Sequence, residues 1–360
     1  MRKLILILTF LSTLFSTYAQ SNAVDQKEDT TINVVAYFSK GDTMKYTLTT
    51  QKFKVENKDT TWKANYDEDF CITVLDSTAK GYRMELQYLD FDFSQTPNSK
   101  FNFENELTKE SALASKGMKI IFNTDELGQV TKIENWTKVR DQLYNIFDKA
   151  IDNIYSFKTF TKEQRDSFNK ILPIDKIKSI THMSINSEEA ILKSIEELGL
   201  LFSNHGYSFA IGEKKEDSKQ DNISHTITTT AGYTKIEDKD NDTEDDYLVI
   251  NQRTSTTSIQ NAIALAGVTD IVNLTFGDQY KDIIKDNFNS SLKDLKGNLV
   301  VKKIDSSEYW YNGWVKSILN ATETTFLNEK NIELKAIEWS YYSFKGGEND
   351  GEDSKDTKKM

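Results

Sequence analysis

An acidic run, Glu237–Asp246, contains the residues best suited to bind a metal ion. Asp238, Asp240 and Asp242 occupy positions one, three and five of an EF-hand-type loop, where alternate oxygen ligands can converge on one Ca²⁺. The rest of the pattern is missing, because Thr243 stands where glycine makes the sharp turn and Val249 where a bidentate glutamate is needed. We therefore favour a solvated loop between two strands, with calcium binding as the alternative. The sequence indicates no cofactor other than this calcium site.

Residues that could act as nucleophiles or bases do not occur in a catalytic arrangement. Ser208 follows His205-Gly206-Tyr207, which superficially resembles the G-x-S-x-G turn of hydrolases, but that mechanism needs strand, turn and then helix, and here the predicted order is helix, turn and strand. The three histidines, His182, His205 and His225, do not have zinc-ligand spacing. Cys71 is better explained as a half-buried strand residue than as a reactive thiol. We therefore predict no catalytic residue and favour a non-enzymatic protein.

Aromatic residues near two late strands form the strongest candidate for a ligand-binding site. They are Tyr309, Trp310, Tyr311 and Trp314 before one strand, and Trp339 and Tyr341 in the other. Flat rings with a polar edge can stack on sugars or line a cavity for an apolar ligand. Packing in the core or at the edge of a sheet would use the same residue types. Contact with a ligand and structural packing are therefore both open interpretations.

The stretch Phe70–Phe93 indicates the kind of sheet that would position these rings. Its apolar residues alternate on both sides of Lys80-Gly81, which predicts a β-hairpin. The alternation changes phase at Tyr88-Leu89, and a similar change separates Met44–Leu48 from Phe53–Val55 in the preceding strand. Because a phase change preserves the buried face only if an extra residue bulges out, we predict bulges in both strands and a curved sheet.

Between the sheets we predict a helical block over 136–206. Asn135 is placed to cap a helix that begins at Trp136, and Asn186 with Glu189 has the spacing of a capping box for a helix over 187–202. Further helices are predicted in four stretches: Phe101–Lys116, Thr161–Leu172, Ile259–Phe276 and Tyr280–Phe288. Two hairpins share the order glycine, strand, acidic turn and G-x-V-x-x-I, with their turns at Asp125 and Asp305, so the domain could contain two related β units. Chance similarity of hairpins is the alternative.

The predicted fold class is α+β, with a curved, half-barrel-like antiparallel sheet of two β units and a central helical block packed against it. Residues 1–19 have the basic start and short apolar core of a signal peptide, with cleavage after Ala19. A flexible leader (20–31) precedes one domain over 32–345, divided into a β unit (32–135), the helical block (136–206) and a β-rich unit with helices (207–345). A disordered tail (346–360) follows. We expect a periplasmic or extracellular protein without a transmembrane segment in its mature chain.

Charge and cysteine content exclude two further classes. The 360 residues have a formal net charge of −11, without a concentrated basic patch, which excludes a nucleic-acid-binding surface. The chain has one cysteine, which excludes an intramolecular disulfide, so the domain must rely on its apolar core.

The signal peptide, the phase-shifting strands and the helices beside the sheet resemble the half-barrel carriers of the LolA and LppX type, over most of Ile32–Lys345. The chain also resembles uncharacterised secreted β-rich proteins of the Bacteroidota. The first resemblance implies an apolar, lipid-like ligand between sheet and helices. The leading hypothesis is a non-enzymatic protein that binds such a ligand, or a protein partner, on a concave sheet face. The alternatives are a hydrolase acting on glycans or lipids and a structural protein with a filled core; the oligomeric state is not indicated.

Overall fold

In the computed structural model, the described residues are 31–56, 59–95, 103–156, 162–163, 166, 173–220, 223–235, 247–263, 296–326 and 329–343. The strands among them are β1 (Thr31–Asn33), β2 (Thr43–Glu56), β3 (Asp59–Thr78), β4 (Gly81–Gln95), β5 (Lys119–Thr124), β6 (Val130–Ile133), β7 (Ser208–Ala210), β8 (Gly212–Gln220), β9 (Ile223–Lys235), β10 (Tyr247–Ile263), β11 (Lys296–Tyr309), β12 (Val315–Phe326) and β13 (Glu329–Ser343). The helices are α1 (Phe103–Ser115), α2 (Trp136–Ser156), α3 (Ile174–Ser184), α4 (Glu188–Ser194) and α5 (Glu196–Phe202).

Eleven of these strands form one antiparallel sheet, in the order β6-β5-β4-β3-β2-β13-β12-β11-β10-β9-β8. β1 and β7 form a separate two-stranded sheet. The strands before and after the helical block are joined by the pairing of β2 with β13, from Thr43–Ser343 to Glu56–Glu329. The prediction of an α+β fold with a curved antiparallel sheet is confirmed.

The predicted hairpin and its bulge are both present in β3 and β4. Phe70 pairs with Tyr88 and Asp69 pairs with Asp90, so Leu89 is the extra residue on β4. Because directly paired residues share a face, the bulge keeps Phe91 on the same face as Tyr88. A second bulge, at Leu75 on β3, had not been predicted.

The bulge predicted in β2 is wrong. The pairing of β2 with β13 is continuous from Tyr46 to Glu56, and its pairing with β3 is continuous from Thr43 to Lys54. Phe53 therefore lies on the opposite face from Met44, Tyr46 and Leu48, and its ring is half-buried. The sequence pattern misled because apolar residues occupy both faces of this strand.

The helical block differs from the prediction in its boundaries. Ser187, rather than Asn186, caps α4 by accepting a hydrogen bond from the Ala190 amide at 3.1 Å, and the predicted helix over 187–202 is divided at Ile195 into α4 and α5. The Asn135 side chain does not cap α2: it accepts a bond from the Ile121 amide and donates to the Lys119 carbonyl of β5. The helix α3, which begins after Pro173, had not been predicted.

The helices cover one face of the sheet, and their apolar side chains pack against those of the strands. We call this the helix-covered face; on β2 it presents Met44, Tyr46 and Leu48, which are buried. Residues of the helical block that join the same core include Val139, Ile146, Ile191, Leu198, Leu201 and Phe202. Among the described residues, the helices are all too short or too polar to cross a bilayer.

Two predictions in the second half of the chain also need correction. β10 continues to Ile263, so the predicted helix from Ile259 does not begin there; its remainder lies outside the described residues. Asp305 is not in a turn, because it pairs with Asn320 in the middle of the β11–β12 ladder. The turn lies at Trp310–Gly313 instead, which removes the acidic-turn match to the Asp125 hairpin.

Candidate functional site

An extended stretch, Ile32–Phe38, separates the core from the best candidate site, and we call it the bracing segment. Its even-numbered side chains, Ile32, Val34, Ala36 and Phe38, are buried. Its main chain bonds to two hairpin turns: the Ala36 amide donates to the Leu127 carbonyl at 3.1 Å, and the Tyr37 amide donates to the Asn312 carbonyl at 2.9 Å. The odd-numbered residues Asn33, Val35 and Tyr37 consequently face away from the core.

These odd-numbered residues form one wall of a cavity of about 230 Å³ at the end of the sheet. Cross-strand pairing places Tyr233, Val249 and Tyr309 in one row across β9, β10 and β11, and all three line the cavity. The turn Trp310–Gly313 forms the other wall. We call this cavity the aromatic cleft, because five of the ten residues that line it are tyrosine or tryptophan.

The turn is held against the bracing segment by a close backbone approach. Gly313 has φ of +85°, and a Cβ atom there would lie 2.4 Å from the Val35 carbonyl oxygen. A positive φ and this lack of space both require glycine. The position of the Trp310 and Tyr311 side chains is thus set by a turn that cannot move outward without breaking the Tyr37–Asn312 hydrogen bond.

Three of the six aromatic residues proposed from the sequence meet in the aromatic cleft: Tyr309, Trp310 and Tyr311. They differ in exposure, since Tyr311 is 70% exposed whereas Tyr309 is 1% exposed. The Tyr309 hydroxyl accepts a hydrogen bond from the Asn204 side-chain amide at 2.9 Å. Tyr309 is therefore the fixed floor of the cleft, and Tyr311 is its accessible rim.

The other three lie elsewhere. Trp314 is buried against Phe38, with ring centroids 4.2 Å apart, so it packs in the core and is not accessible to a ligand. Trp339 makes an edge contact with Trp310 at 5.9 Å and so supports the cleft from behind. Tyr341 is half-buried and separated from Trp339 by a bulge at Ser340, which places it on the opposite face of the sheet.

Sequence reasoning missed Asn33, Tyr37 and Tyr233, which complete the cleft. Tyr37 is 66% exposed and Tyr233 is 52% exposed, which is unusual for large aromatic side chains. The alternation of Ile32–Phe38 was a usable indication that Asn33 and Tyr37 share one side. Tyr233 could not have been found, because it reaches the cleft only through its pairing with Val249.

The proposed calcium ligands Asp238, Asp240 and Asp242 lie outside the described residues, so the calcium site stays a prediction. Within the part of the chain that the structure describes, groups of three or more His, Cys, Asp or Glu side chains suited to a metal are not found.

His205 is a core residue at the back of the cleft. Its Nε2 donates to the Gly313 carbonyl at 2.9 Å, while its Nδ1 is buried without a hydrogen-bond partner. Burial lowers the pKa of His205 to about 4. The imidazole is consequently neutral at physiological pH and links the turn to the helical block.

His182 lies in a different cavity, of about 450 Å³, between α2 and α3. Its Nε2 is 3.0 Å from the Asp148 carboxylate, and its ring stacks on Tyr144 with centroids 3.9 Å apart. The Tyr144 hydroxyl donates to the His182 carbonyl at 3.1 Å. These contacts attach α3 to α2, so His182 has a structural role in helix packing.

The remaining single residues have ordinary partners. His225 Nδ1 is 2.8 Å from the Thr257 hydroxyl across β9 and β10. Ser208 donates to the Asn33 side chain at the cleft wall. Cys71 is half-buried, and burial raises the pKa of its thiol, which makes it less reactive.

A pair of carboxyl groups lies under α5, away from the cleft. Glu68 and Glu197 share a hydrogen bond, and burial together with the Glu197 charge raises the pKa of Glu68 far above its ordinary value. The Tyr88 hydroxyl donates to Glu197 at 3.0 Å. Catalytic carboxyls of glycoside hydrolases stand about 5 to 9.5 Å apart so that the sugar and water fit between them. A pair in direct hydrogen-bond contact does not have that geometry.

Comparison with known proteins identifies no relative in sequence: no protein-family model and no curated protein matches the chain. Among solved structures, lipovitellin, described for its lipid–protein interactions, aligns with 87% of this chain at 8% identity and a TM-score of 0.33. This chain spans only 26% of that structure.

Two outer membrane proteins align still more weakly. A channel from Pseudomonas putida F1 covers 88% of this chain and 100% of its own, at 7% identity and a TM-score of 0.15. A loop-deletion mutant of OmpT from Vibrio cholerae covers 83% and 99%, at 6% identity and a TM-score of 0.17. Similarities this low support no argument about fold or function, so the resemblance to LolA and LppX carriers stays a prediction.

Proposed function

We propose that this chain is a secreted or periplasmic non-enzymatic protein that binds a small ligand in the aromatic cleft. The observation that supports this best is the exposure of three tyrosines, Tyr37, Tyr233 and Tyr311, around one cavity. Leaving large aromatic surface in water is unfavourable, and clusters of such surface are typical of binding sites. Exposed tyrosines scattered over the surface would need no explanation, but three that surround one cavity indicate a binding site.

The composition of the cleft favours binding over catalysis. Its ten lining residues include no histidine, carboxylate, lysine, serine or cysteine. General acid–base or nucleophilic catalysis would need at least one of these groups close to the ligand, with tyrosine as the exception. The cleft has the side chains to orient a ligand and lacks the usual side chains to transform one.

The aromatic cleft is not the concave sheet face that the sequence predicts as the binding site. The helix-covered face over β2–β5 is filled by α2, α4 and α5, whose apolar side chains join Met44, Phe70 and Ile120 in one core. A lipid between sheet and helices would have to displace that core. The ligand is therefore assigned to the end of the sheet, beside the bracing segment.

Native mass spectrometry of the secreted protein, together with ligand titration followed by tryptophan fluorescence, tests this function. We expect a bound or titratable ligand whose affinity falls in Tyr311→Ala. Tyr207→Ala is the matched control, because Tyr207 is 57% exposed but does not line the cleft. Binding that is equally affected by both substitutions, or by neither, would contradict the assignment of the site. Capture of a protein partner through Tyr311 instead would replace the small ligand by a docking function.

A further inference from the structure

The charge of the aromatic cleft restricts the kind of ligand that it can take. Charged residues make up 28% of the chain, so ten average positions would include about three of them, yet none of the ten lining residues is charged. A ligand carboxylate or phosphate entering the cleft would lose hydration without gaining an ionic partner, which is costly. Fatty acids, phospholipid headgroups and acidic sugars are consequently poor occupants.

The polar groups that remain suit a ligand with many hydroxyls. Tyr37, Tyr233 and Tyr311 each present a ring face, and the phenolic hydroxyls of Tyr37 and Tyr311 can donate or accept a hydrogen bond. Asn33 accepts a hydrogen bond from Ser208 through Oδ1, which leaves its NH₂ group to donate toward a ligand. Alternating apolar faces and hydroxyl edges are the two features of a sugar ring that such residues match.

The size of the cleft favours one ring over a long chain. Its volume is about 230 Å³, below the ~300–1,000 Å³ of pockets that enclose drug-sized ligands. The aliphatic lining is limited to Val34, Val35 and Val249, whereas an acyl chain would be better enclosed by many flexible apolar side chains. One ring in the cleft with further rings across Tyr37 and Tyr311 agrees with the high exposure of both tyrosines.

We propose that the ligand of the aromatic cleft is a neutral saccharide, with one ring held between the Tyr37, Tyr233 and Tyr311 side chains. This inference rests on the proposed binding function and names the chemical class of its ligand. Ring stacking supplies the affinity, and the hydroxyls of Tyr37 and Tyr311 with the Asn33 amide supply the orientation.

The test is a titration of the full-length mature protein by isothermal calorimetry with neutral oligosaccharides (cello-, xylo- and manno-hexaose), with oligogalacturonate, and with palmitate and lysophosphatidylcholine. We expect at least one neutral hexaose to bind at least tenfold more tightly than oligogalacturonate. Tyr233→Ala and Tyr311→Ala should each weaken that binding about three- to tenfold, from the loss of one aromatic contact. Tyr207→Ala should remain within twofold of the unsubstituted protein.

The outcomes separate the two proposals. If palmitate or lysophosphatidylcholine binds in a Tyr311-dependent manner and the neutral hexaoses do not, the saccharide assignment is overturned while the binding function stands. If oligogalacturonate binds as tightly as the neutral hexaoses, the proposal that the ligand is neutral is overturned. If none of the probes binds and native mass spectrometry finds no bound ligand, both proposals fail. Circular dichroism of each variant confirms that the exposed-residue substitutions leave the fold intact.

Discussion

Glu68 occupies an environment that opposes its ionisation. It lies on β3, opposite Leu48 of β2 and Phe91 of β4, with one carboxyl oxygen buried and without a hydrogen-bond partner. The neighbouring acids Glu196 and Glu197 add negative charge, and Glu196 is itself paired with Lys335. Deprotonation of Glu68 would place its negative charge beside those of Glu196 and Glu197, where little water can reach.

The raised pKa of Glu68 predicts that the protein loses stability as the pH rises above about 4.5. Below that value Glu68 is protonated in both states; above it, the unfolded chain releases a proton that the folded chain retains until its own higher pKa is reached. At pH 7 this costs the folded state up to about 3 kcal/mol. Glu68→Gln keeps the shape without the charge, so we expect it to raise the free energy of unfolding in urea at pH 7 and to change little at pH 4.

Glu126→Gln is the control, because Glu126 is exposed on the Asp125 turn and its removal should have no comparable effect. A Glu68→Gln variant that is less stable than the parent at pH 7 would show that Glu68 is ionised and usefully paired. His205 acts in the opposite direction: its lowered pKa favours folding above pH 6.5, and that contribution decreases as the pH falls toward 4.

At the scale of single residues, few of these contacts could be predicted from the sequence. Fifty-six acidic residues offer no indication that Glu68 and Glu197 are neighbours, because 129 positions separate them and the contact depends on where α5 crosses β3. The aromatic residues were a better guide, since Tyr309–Tyr311 are consecutive and remain together in any fold. Their partners Tyr37 and Tyr233 are distant in sequence and needed the structure.

The bulge in β4 shows how one extra residue determines which side chains of a strand share a face. Leu89 allows β4 to present Tyr88, Phe91 and Phe93 to one face, and Phe93 packs against Tyr66 with ring centroids 5.0 Å apart. Strict alternation from Tyr88 would have turned both phenylalanines to the other side. The phase change was visible in the sequence and correctly located this bulge.

Deletion of Leu89 should therefore destabilise the protein far more than truncation of its side chain. The deletion moves Phe91 and Phe93 to the opposite face, and we expect a loss of about 3 kcal/mol or more, or failure to fold. Leu89→Ala keeps the register, and because Leu89 is half-buried we expect a cost of about 1 kcal/mol. Urea unfolding of both variants measures the difference. Similar costs for the two changes would show that the register of β4 is not set by this bulge.

The same kind of inference failed for β2, and the reason is physical. A phase change indicates a bulge only when one face is polar, whereas Phe53 on β2 lies on the second face beside Ile332 of β13. Helix ends were equally hard to predict. Ile195 separates α4 from α5, and no glycine or proline at this position indicates a break in the sequence.

For the whole molecule, we expect α2, α4 and α5 to form a permanent layer of the core, because their apolar side chains join it. Leu198, Leu201 and Phe202 of α5 are buried, and Phe202 contacts Phe38 and Phe122 from two different parts of the chain. A lid that opens in ordinary function would need weaker burial than this.

Hydrogen exchange checks the permanence of this layer. The amides of Leu201 and Phe202 should exchange with a free energy within about 1 kcal/mol of that of Ile72 in β3, because all of them open only when the core opens. The amides of β8, whose side chains are exposed throughout, should exchange faster. Opening of α5 at a free energy several kcal/mol below that of β3 would identify the helical block as a mobile lid.

The position of β13 has a consequence for how the chain folds. β13 is the last of the described strands to be synthesised, yet it pairs with β2, one of the first, in the middle of the sheet. Until Glu329–Ser343 emerges, β2 and β12 both lack the neighbour that lies between them. Contacts of such long sequence separation slow folding. The two halves of the sheet, β2–β6 and β8–β12, are thus expected to remain unjoined until β13 is made, and the sheet to close in one late step.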